Sequence, residues 1–128
     1  MTRKLFALSV ILTVCAILYA QDKKTVTLNG YLIDNACAGM HAKEATFSET
    51  VKKHKTSCAL MPPCVKSGYA VLTADGKLYK FDDAGNKSVE ALLRETSTKA
   101  GFSVAVEGTV EGDTIKVTKV TESTTEAQ

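Results

Sequence analysis

The sequence lacks most of the motifs that identify an enzyme. It has no tryptophan and only two histidines, and it contains neither a glycine-rich phosphate loop nor a Gly-x-Ser-x-Gly nucleophile motif. A Cys-x-x-Cys-His motif is also absent, which argues against covalently attached haem. We therefore identify no catalytic residue and no cofactor-binding residue, and the sequence favours a protein that is not an enzyme.

The sequence also lacks an excess of charge of either sign. It contains 16 Lys and Arg against 14 Asp and Glu, and two of the basic residues, Arg3 and Lys4, belong to the signal peptide predicted below. Proteins that bind nucleic acid through its phosphates need a strongly positive surface. The balanced charge of the remaining chain therefore predicts no nucleic-acid partner.

The only long apolar run stands at the beginning of the chain. Arg3 and Lys4 precede the uncharged segment 5–17, and Ala20 offers a small residue for cleavage. The run is shorter than the roughly 20 apolar residues that span a bilayer. We therefore expect residues 1–20 to be a signal peptide cut near Ala20, which predicts a periplasmic or secreted protein with no stable membrane anchor.

A lipid anchor is the alternative use of this segment. Cys15 would be the lipidated residue, but the bulky Val14 stands where a small residue is expected, and apolar residues continue after the cysteine. The sequence therefore favours cleavage after Ala20 over lipidation.

Residues 21–120 are predicted to form a single domain, followed by a polar tail at 121–128. Alternating apolar residues and turn signals predict a mainly β fold with one helix, and an irregular insert at 35–67 follows the first strand. The predicted strands are 25–34, 69–74, 77–81, 102–110 and 114–120, and the predicted helix is 87–98.

The order strand-strand-strand-helix-strand-strand fits a small five-stranded OB-like barrel. Gly30 interrupts the long first strand, and a glycine in a strand often marks a bend. Asp75-Gly76 is a strong tight-turn pair between the second and third strands. An open antiparallel sheet with one covering helix is the alternative architecture.

Cysteine and histidine are concentrated in the predicted insert. After removal of Cys15 with the signal peptide, the chain keeps three cysteines and two histidines, all within residues 37–64: Cys37, His41, His54, Cys58 and Cys64. Cys37 and His41 are four residues apart, so on a helical turn both would lie on one face, and His54 and Cys58 repeat that spacing in reverse order. Two such pairs are typical of structural zinc sites, and Cys37, His41, Cys58 and Cys64 form a possible Cys3His set in which His54 could replace His41.

Two methionines add copper as a candidate metal. Met40 and Met61 stand beside the cysteines, and thiolate with thioether suits copper(I). The alternative is that both methionines only fill space under the insert, since methionine is a flexible filler of irregular cores. The metal hypothesis therefore names zinc or copper.

An odd number of cysteines in an oxidising compartment also allows a disulfide. A bond such as Cys37–Cys58 or Cys37–Cys64 would stabilise an insert that has few apolar residues. The protein would then be a non-catalytic, disulfide-stapled barrel that binds a peptide, a glycan or another protein. A third hypothesis is a thiol-redox protein, in which nearby lysines lower a thiol pKa. These lysines are Lys52, Lys53 and Lys55.

Carboxylates near the insert have two alternative roles. Asp34 ends the first strand, where it could orient His41 as an acceptor or cap the following segment. Asp82, Asp83 and Asn86 do not match a known calcium-loop spacing, and a solvated loop is the favoured interpretation for residues 82–86.

Several of these segments together resemble a loose group of small secreted bacterial proteins of unknown function. They are Gly30-Tyr31-Leu32-Ile33-Asp34, Cys37-x-x-x-His41, Cys58, Cys64-Val65-Lys66-x-Gly68 and Val106-Glu107-Gly108. The resemblance covers most of the chain and implies that Cys37, His41, Cys58 and Cys64 act as one unit in an OB-like barrel. The spacing of Cys58 and Cys64 is wider in this chain than in that group, and the resemblance implies no reaction.

Overall fold

The computed structural model describes residues 23–124, so the predicted signal peptide and the last residues of the tail lie outside the described part of the chain. Within it, five strands and five helices follow one another. They are β1 (Thr25–Asp34), α1 (Asn35–His41), α2 (Phe47–Lys52), α3 (Thr56–Ala59), α4 (Pro62–Ser67), β2 (Tyr69–Thr73), β3 (Leu78–Phe81), α5 (Asp83–Glu95), β4 (Ser103–Glu111) and β5 (Thr114–Glu122).

The five strands form one closed sheet. Its order is β1-β2-β3-β5-β4, and β4 pairs again with β1. The β3–β5 pair is parallel, while the other four pairs are antiparallel. The five predicted strands are confirmed, and the open antiparallel sheet is wrong because β3 and β5 close the ring.

Two glycines allow neighbouring strands of the sheet to approach each other closely. Gly30 pairs with Thr73 of β2 and with Val104 of β4, so β1 changes partners around this residue. A Cβ atom at Gly30 would lie 2.1 Å from the carbonyl oxygen of Leu72, which only glycine avoids. Gly108 is equally confined and stands at a shift of register between β4 and β5. The close approach of β2 therefore gives a steric reason for a glycine at position 30.

The prediction of a single helix was wrong. The insert was expected to be irregular, but residues 35–67 contain four short helices, α1 to α4, and only α5 had been anticipated. None of the four exceeds seven residues, so none is long enough to show a helical period in the sequence. Their stability must come from packing against the sheet.

The predicted bounds of α5 were also wrong. The helix begins at Asp83 because the side chain of Asp82 caps it, accepting a hydrogen bond from the backbone N–H of Gly85 at 3.1 Å. Residues 83–86 therefore belong to the helix and not to a loop. The helix ends at Glu95, and Thr96 is already extended.

The buried side chains form two groups, one inside the closed sheet and one beneath the insert. The sheet core consists of the following residues: Leu32, Ala59, Tyr69, Val71, Phe81, Val89, Leu93, Phe102, Val104, Val106, Ile115 and Val120. The insert core consists of a second set: Ile33, Cys37, Ala38, Val51, Cys64, Ala70 and Leu72. Neighbouring residues of β1 and β2 alternate between the two, because successive strand residues face opposite sides. Both faces of the sheet are therefore buried where the insert covers it.

No helix within residues 23–124 has the length and apolar character needed to cross a bilayer.

The last strand continues beyond the predicted boundary at Val120, as far as Glu122. There the Glu122 carboxylate accepts hydrogen bonds from the hydroxyls of Thr96 and Thr98. The beginning of the predicted tail is thus part of the sheet.

Candidate metal centre

Asp34 marks the point at which the insert leaves the sheet. It is the last residue of β1, it pairs with Tyr69 of β2, and it is fully buried. Its Oδ1 accepts a hydrogen bond of 2.8 Å from the backbone N–H of Cys37, so that Asp34 caps α1. The capping role considered from the sequence is confirmed, and it fixes Cys37 in the first turn of the helix.

Hydrogen bonds between the two ends of the insert place Cys64 near Cys37. The side-chain amide of Asn35 donates to the carbonyl oxygen of Ser67 at 2.9 Å. The hydroxyl of Ser67 accepts from the backbone N–H of Ala36 and donates to the carbonyl oxygen of Cys64. The beginning of α1 and the end of α4 are therefore held side by side.

The third cysteine is carried by α3, which is anchored from two directions. The backbone N–H of Thr56 donates to the carbonyl oxygen of Lys99 at 2.9 Å, and the Thr56 hydroxyl donates to that of Thr98. The buried hydroxyl of Tyr69 donates to the carbonyl oxygen of Ala59 at 2.8 Å. These contacts set the position of Cys58 from parts of the chain that are distant in sequence.

The three thiols meet between these helices. The sulfur atoms of Cys37, Cys58 and Cys64 all lie within 4.8 Å of one another, and those of Cys37 and Cys58 are 4.0 Å apart. All three are free thiols. Cys37 and Cys64 are buried, whereas Cys58 is partly exposed. The group could hold a metal ion, with Cys58 as its most accessible sulfur.

A second group overlaps the first. Asp34, Cys37 and His54 each offer a ligand atom within 4.8 Å of the others. The Nε2 atom of His54 lies 2.9 Å from Oδ2 of Asp34, and only 9% of the His54 side chain is exposed. The carbonyl oxygen of His54 accepts a hydrogen bond from the N–H of Gly101, which fixes the backbone there. Cys37 and Asp34 thus link the thiols to a buried aspartate–histidine pair.

His41 lies outside both groups. It is the last residue of α1, its side chain is 36% exposed, and its Nδ1 atom is 2.7 Å from Oε1 of Glu44. The helical turn expected from the spacing of Cys37 and His41 is present, but the ring of His41 contacts an exposed glutamate. Of the two predicted histidines, the structure brings only His54 to the cysteines, and it pairs with Asp34.

The methionines do not fill space under the insert. Met40 is 69% exposed and Met61 is 50% exposed, and they are the two large hydrophobic side chains that stand out as exposed within residues 23–124. Met40 follows Cys37 by one helical turn. The backbone N–H of Met61 donates to the carbonyl oxygen of Cys58, and its own carbonyl oxygen accepts from the N–H of Cys64. The filler interpretation was therefore wrong.

The charges around the thiols were also misjudged from the sequence. Burial and then the negative charge of Asp34 raise the pKa of Cys37 to about 12, and the same two causes raise the pKa of Cys64. The lysines were expected to lower the thiol pKa values, but the carboxylate of Asp34 is the charge that matters for both residues. These two thiols stay protonated at neutral pH unless a cation lies among them.

The Asp34 carboxyl group itself stays charged. Burial acts to raise its pKa, but the hydrogen bonds from His54 and from the N–H of Cys37 outweigh burial and lower the pKa from 3.8 to about 2. The insert therefore holds a permanent negative charge next to two neutral thiols. The partner of this carboxylate within the insert is His54.

The pairing of Asp34 with His54 was missed by the sequence reasoning, which had connected Asp34 with His41. Both histidines are four residues from a cysteine, so spacing alone cannot show which of them joins the site.

Comparison with models of known protein families found no match, and comparisons with curated proteins and with solved structures found none either. The chemistry of the site must be argued from its own residues.

Proposed function

We propose that this protein is an exported binding module that holds one transition-metal ion, zinc or copper, on the thiolates of Cys37, Cys58 and Cys64. The site occupies the insert between β1 and β2, and Asp34 and His54 lie beside it. His41, although part of the set implied by the resemblance, does not belong to the proposed ligands.

The convergence of three thiols from three different helices is the observation that carries this proposal. Metal–thiolate bonds are about 2.3 Å long, so two sulfurs on one ion lie roughly 3.8 to 4.0 Å apart. The observed separation of 4.0 Å between the sulfurs of Cys37 and Cys58 fits this geometry. Because Asp34 opposes ionisation of the buried thiols, a bound cation would also supply the charge that the site needs.

The closed strand order β1-β2-β3-β5-β4 and the long β1, which pairs with both β2 and β4, support a further proposal, that the scaffold is an OB-like barrel. Export through the signal peptide at 1–20 is part of the same proposal and rests on the sequence pattern. The site would then meet metal ions outside the cytoplasm.

A second candidate function follows from the distance of 4.0 Å between the sulfurs of Cys37 and Cys58. A small movement of α3 would allow these two residues to form a disulfide, which would staple the insert and leave Cys64 as the spare thiol. The protein would then recognise a peptide, a glycan or a protein partner without a metal. The raised pKa values of Cys37 and Cys64 argue against these two residues as the active thiol of the third candidate, a thiol-redox protein, because an active thiol needs a lowered pKa.

Metal content and free thiols, measured on one sample, distinguish these candidates. The protein would be purified from an oxidising export compartment without chelator, and the metal would be quantified by elemental mass spectrometry. The proposal expects about one ion per chain and no disulfide. One free thiol with no metal would reject it in favour of the stapled module.

Substitution of Cys58 gives the matching mutational test. Cys58→Ser removes the most accessible sulfur and should lower the metal content to near zero while the sheet stays folded. Ser57→Ala changes the preceding, exposed residue of the same helix and should keep the ion. Equal metal contents in the two variants would show that Cys58 is not a ligand.

A further inference from the structure

The possible metal ligands next to the three cysteines help to decide which metal the site binds. Within residues 23–124, the groups with a suitable spacing for metal binding contain only Asp34 and His54 besides the three cysteines. A structural zinc site is almost always four-coordinate and tetrahedral. A zinc ion at this position would therefore need one of these two residues, or water, as its fourth ligand.

Both residues are already engaged in the folded insert. Oδ1 of Asp34 accepts from the N–H of Cys37, and Oδ2 of Asp34 pairs with Nε2 of His54. Ligation through Oδ1 of Asp34 would break the cap of α1, and ligation through Oδ2 or through Nε2 of His54 would break the contact between the two side chains. Nδ1 of His54 takes no part in these contacts, and the absorption experiment below tests whether it binds the ion. The pair thus supports Cys37. The sulfurs of Cys37 and Cys58 contact each other at 4.0 Å, and an ion bound by both would replace this thiol contact without breaking the cap of α1.

Resting on the proposed function, the geometry points to copper(I) as the metal, held in a three-coordinate site by Cys37, Cys58 and Cys64 alone. Soft thiolate donors select copper(I) over harder cations. Copper(I) has a filled d shell and accepts three ligands, so it requires no fourth donor from the protein. Asp34 and His54 then act as positioning residues and are not ligands.

The two exposed methionines support the same ion independently. Met61 stands between Cys58 and Cys64 in the chain, and Met40 lies one turn after Cys37 on α1. Both thioethers are exposed soft donors that suit copper(I) and bind zinc poorly. Because both methionines adjoin the cysteines in the chain, we expect copper(I) to enter and leave the site past Met40 and Met61.

The test is a competition between the two metals on the reduced protein under anaerobic conditions. Copper(I) would be supplied as its bicinchoninate complex in the presence of a large excess of Zn²⁺, and the bound metal would be quantified after desalting. We expect one copper(I) ion per chain and displacement of zinc. Retention of zinc would overturn the assignment to copper(I) without touching the proposed function, whereas binding of neither metal would overturn both.

X-ray absorption at the copper edge tests the coordination itself. The expected spectrum contains a sulfur shell of three neighbours and no histidine contribution. His54→Gln should weaken copper(I) binding by roughly tenfold, as is usual for a residue that supports a ligand, but leave the sulfur shell unchanged. A histidine signal in the native protein that disappears in His54→Gln would overturn the three-sulfur site.

The route is tested with Met40→Leu and Met61→Leu, which keep the side-chain volume and remove the sulfur. The double variant should retain the equilibrium affinity for copper(I) but transfer the ion to bicinchoninate several-fold more slowly. Leu92→Met, a change on the distant helix α5, serves as the control and should leave the rate as it is in the native protein. An unchanged rate in the double variant would overturn the role of the methionines.

Discussion

The two buried regions of this protein are built from different kinds of residue. The sheet core consists almost entirely of aliphatic and aromatic side chains, among them Phe102 and Ile115, together with the paired hydroxyl of Tyr69. The insert core is smaller and contains two thiols and alanines next to the charged carboxyl group of Asp34. Burial of apolar area therefore stabilises the sheet, while the insert depends on specific polar contacts and, in our proposal, on a metal.

The largest effect is expected from truncation in the sheet core. Ile115 is fully buried, and Ile115→Ala should lower the free energy of unfolding by about 2–5 kcal/mol, because it removes methyl groups and leaves a cavity. Urea denaturation followed by circular dichroism measures this loss.

Val51→Ala is the matching change in the insert core, where Val51 is also fully buried. In the metal-free protein it should speed the alkylation of the buried thiols by roughly tenfold, since the insert opens locally, while the midpoint of global unfolding changes little. Identical shifts of the midpoint in Ile115→Ala and Val51→Ala would show that the two regions unfold as one unit.

The next largest effect is expected on the free energy of unfolding at low pH. The folded pKa of Asp34, about 2, lies below its ordinary value of 3.8, so the charged form stabilises the fold above pH 4. This contribution, about 2 kcal/mol, is lost as the pH falls from 4 through 2. Chemical denaturation of the metal-free protein along this pH range should show the decline.

Asp34→Asn separates the charge of residue 34 from its capping role, since asparagine still caps a helix but carries no charge. The variant should lose the part of the acid-dependent decline that Asp34 contributes, and its Cys37 should react faster with iodoacetamide at neutral pH, because Asp34 is one of the charges that raise the thiol pKa. Asp82→Asn, at the cap of α5, is the control and should leave the thiol reactivity unaltered. Equal thiol reactivity in both variants would contradict the electrostatic role given to Asp34.

The smallest effects are expected from the histidines, which form a natural pair for comparison. His54→Gln breaks a buried contact with Asp34 and should cost roughly 1–2 kcal/mol. His41→Gln removes only an exposed contact with Glu44 and should change the unfolding free energy by less than about 0.5 kcal/mol. Thermal unfolding of the two variants side by side is the measurement, and a larger loss in His41→Gln would reverse the assignment of the two residues.

The sheet could be predicted from the sequence because its signals are local. Alternating apolar residues, the Asp75-Gly76 turn and Gly30 each act within a few residues, and the structure confirms the strands they predicted. The beginning of α5 was missed because Asp82 is equally typical of a loop and of a helix cap, and only its bond to Gly85 decides between the two.

The site could be predicted only in part, because contacts between distant segments arrange it. The clustering of Cys37, Cys58 and Cys64 in sequence did indicate a common site. His54 is held by a contact from outside the insert, because its carbonyl oxygen accepts a hydrogen bond from the N–H of Gly101, which lies after α5. No spacing within the insert carries that information.

The ends of the insert are neighbours in the sheet, since Asp34 and Tyr69 pair directly across β1 and β2. Residues in antiparallel register have their Cα atoms about 5 Å apart, which is the distance that a tight hairpin also closes. The sheet therefore sets no particular length for the segment between them. A change in the length of the insert would leave the strand register unaltered, but it would have to keep the contacts with Thr98, Lys99 and Gly101 that hold α3 and His54 in place.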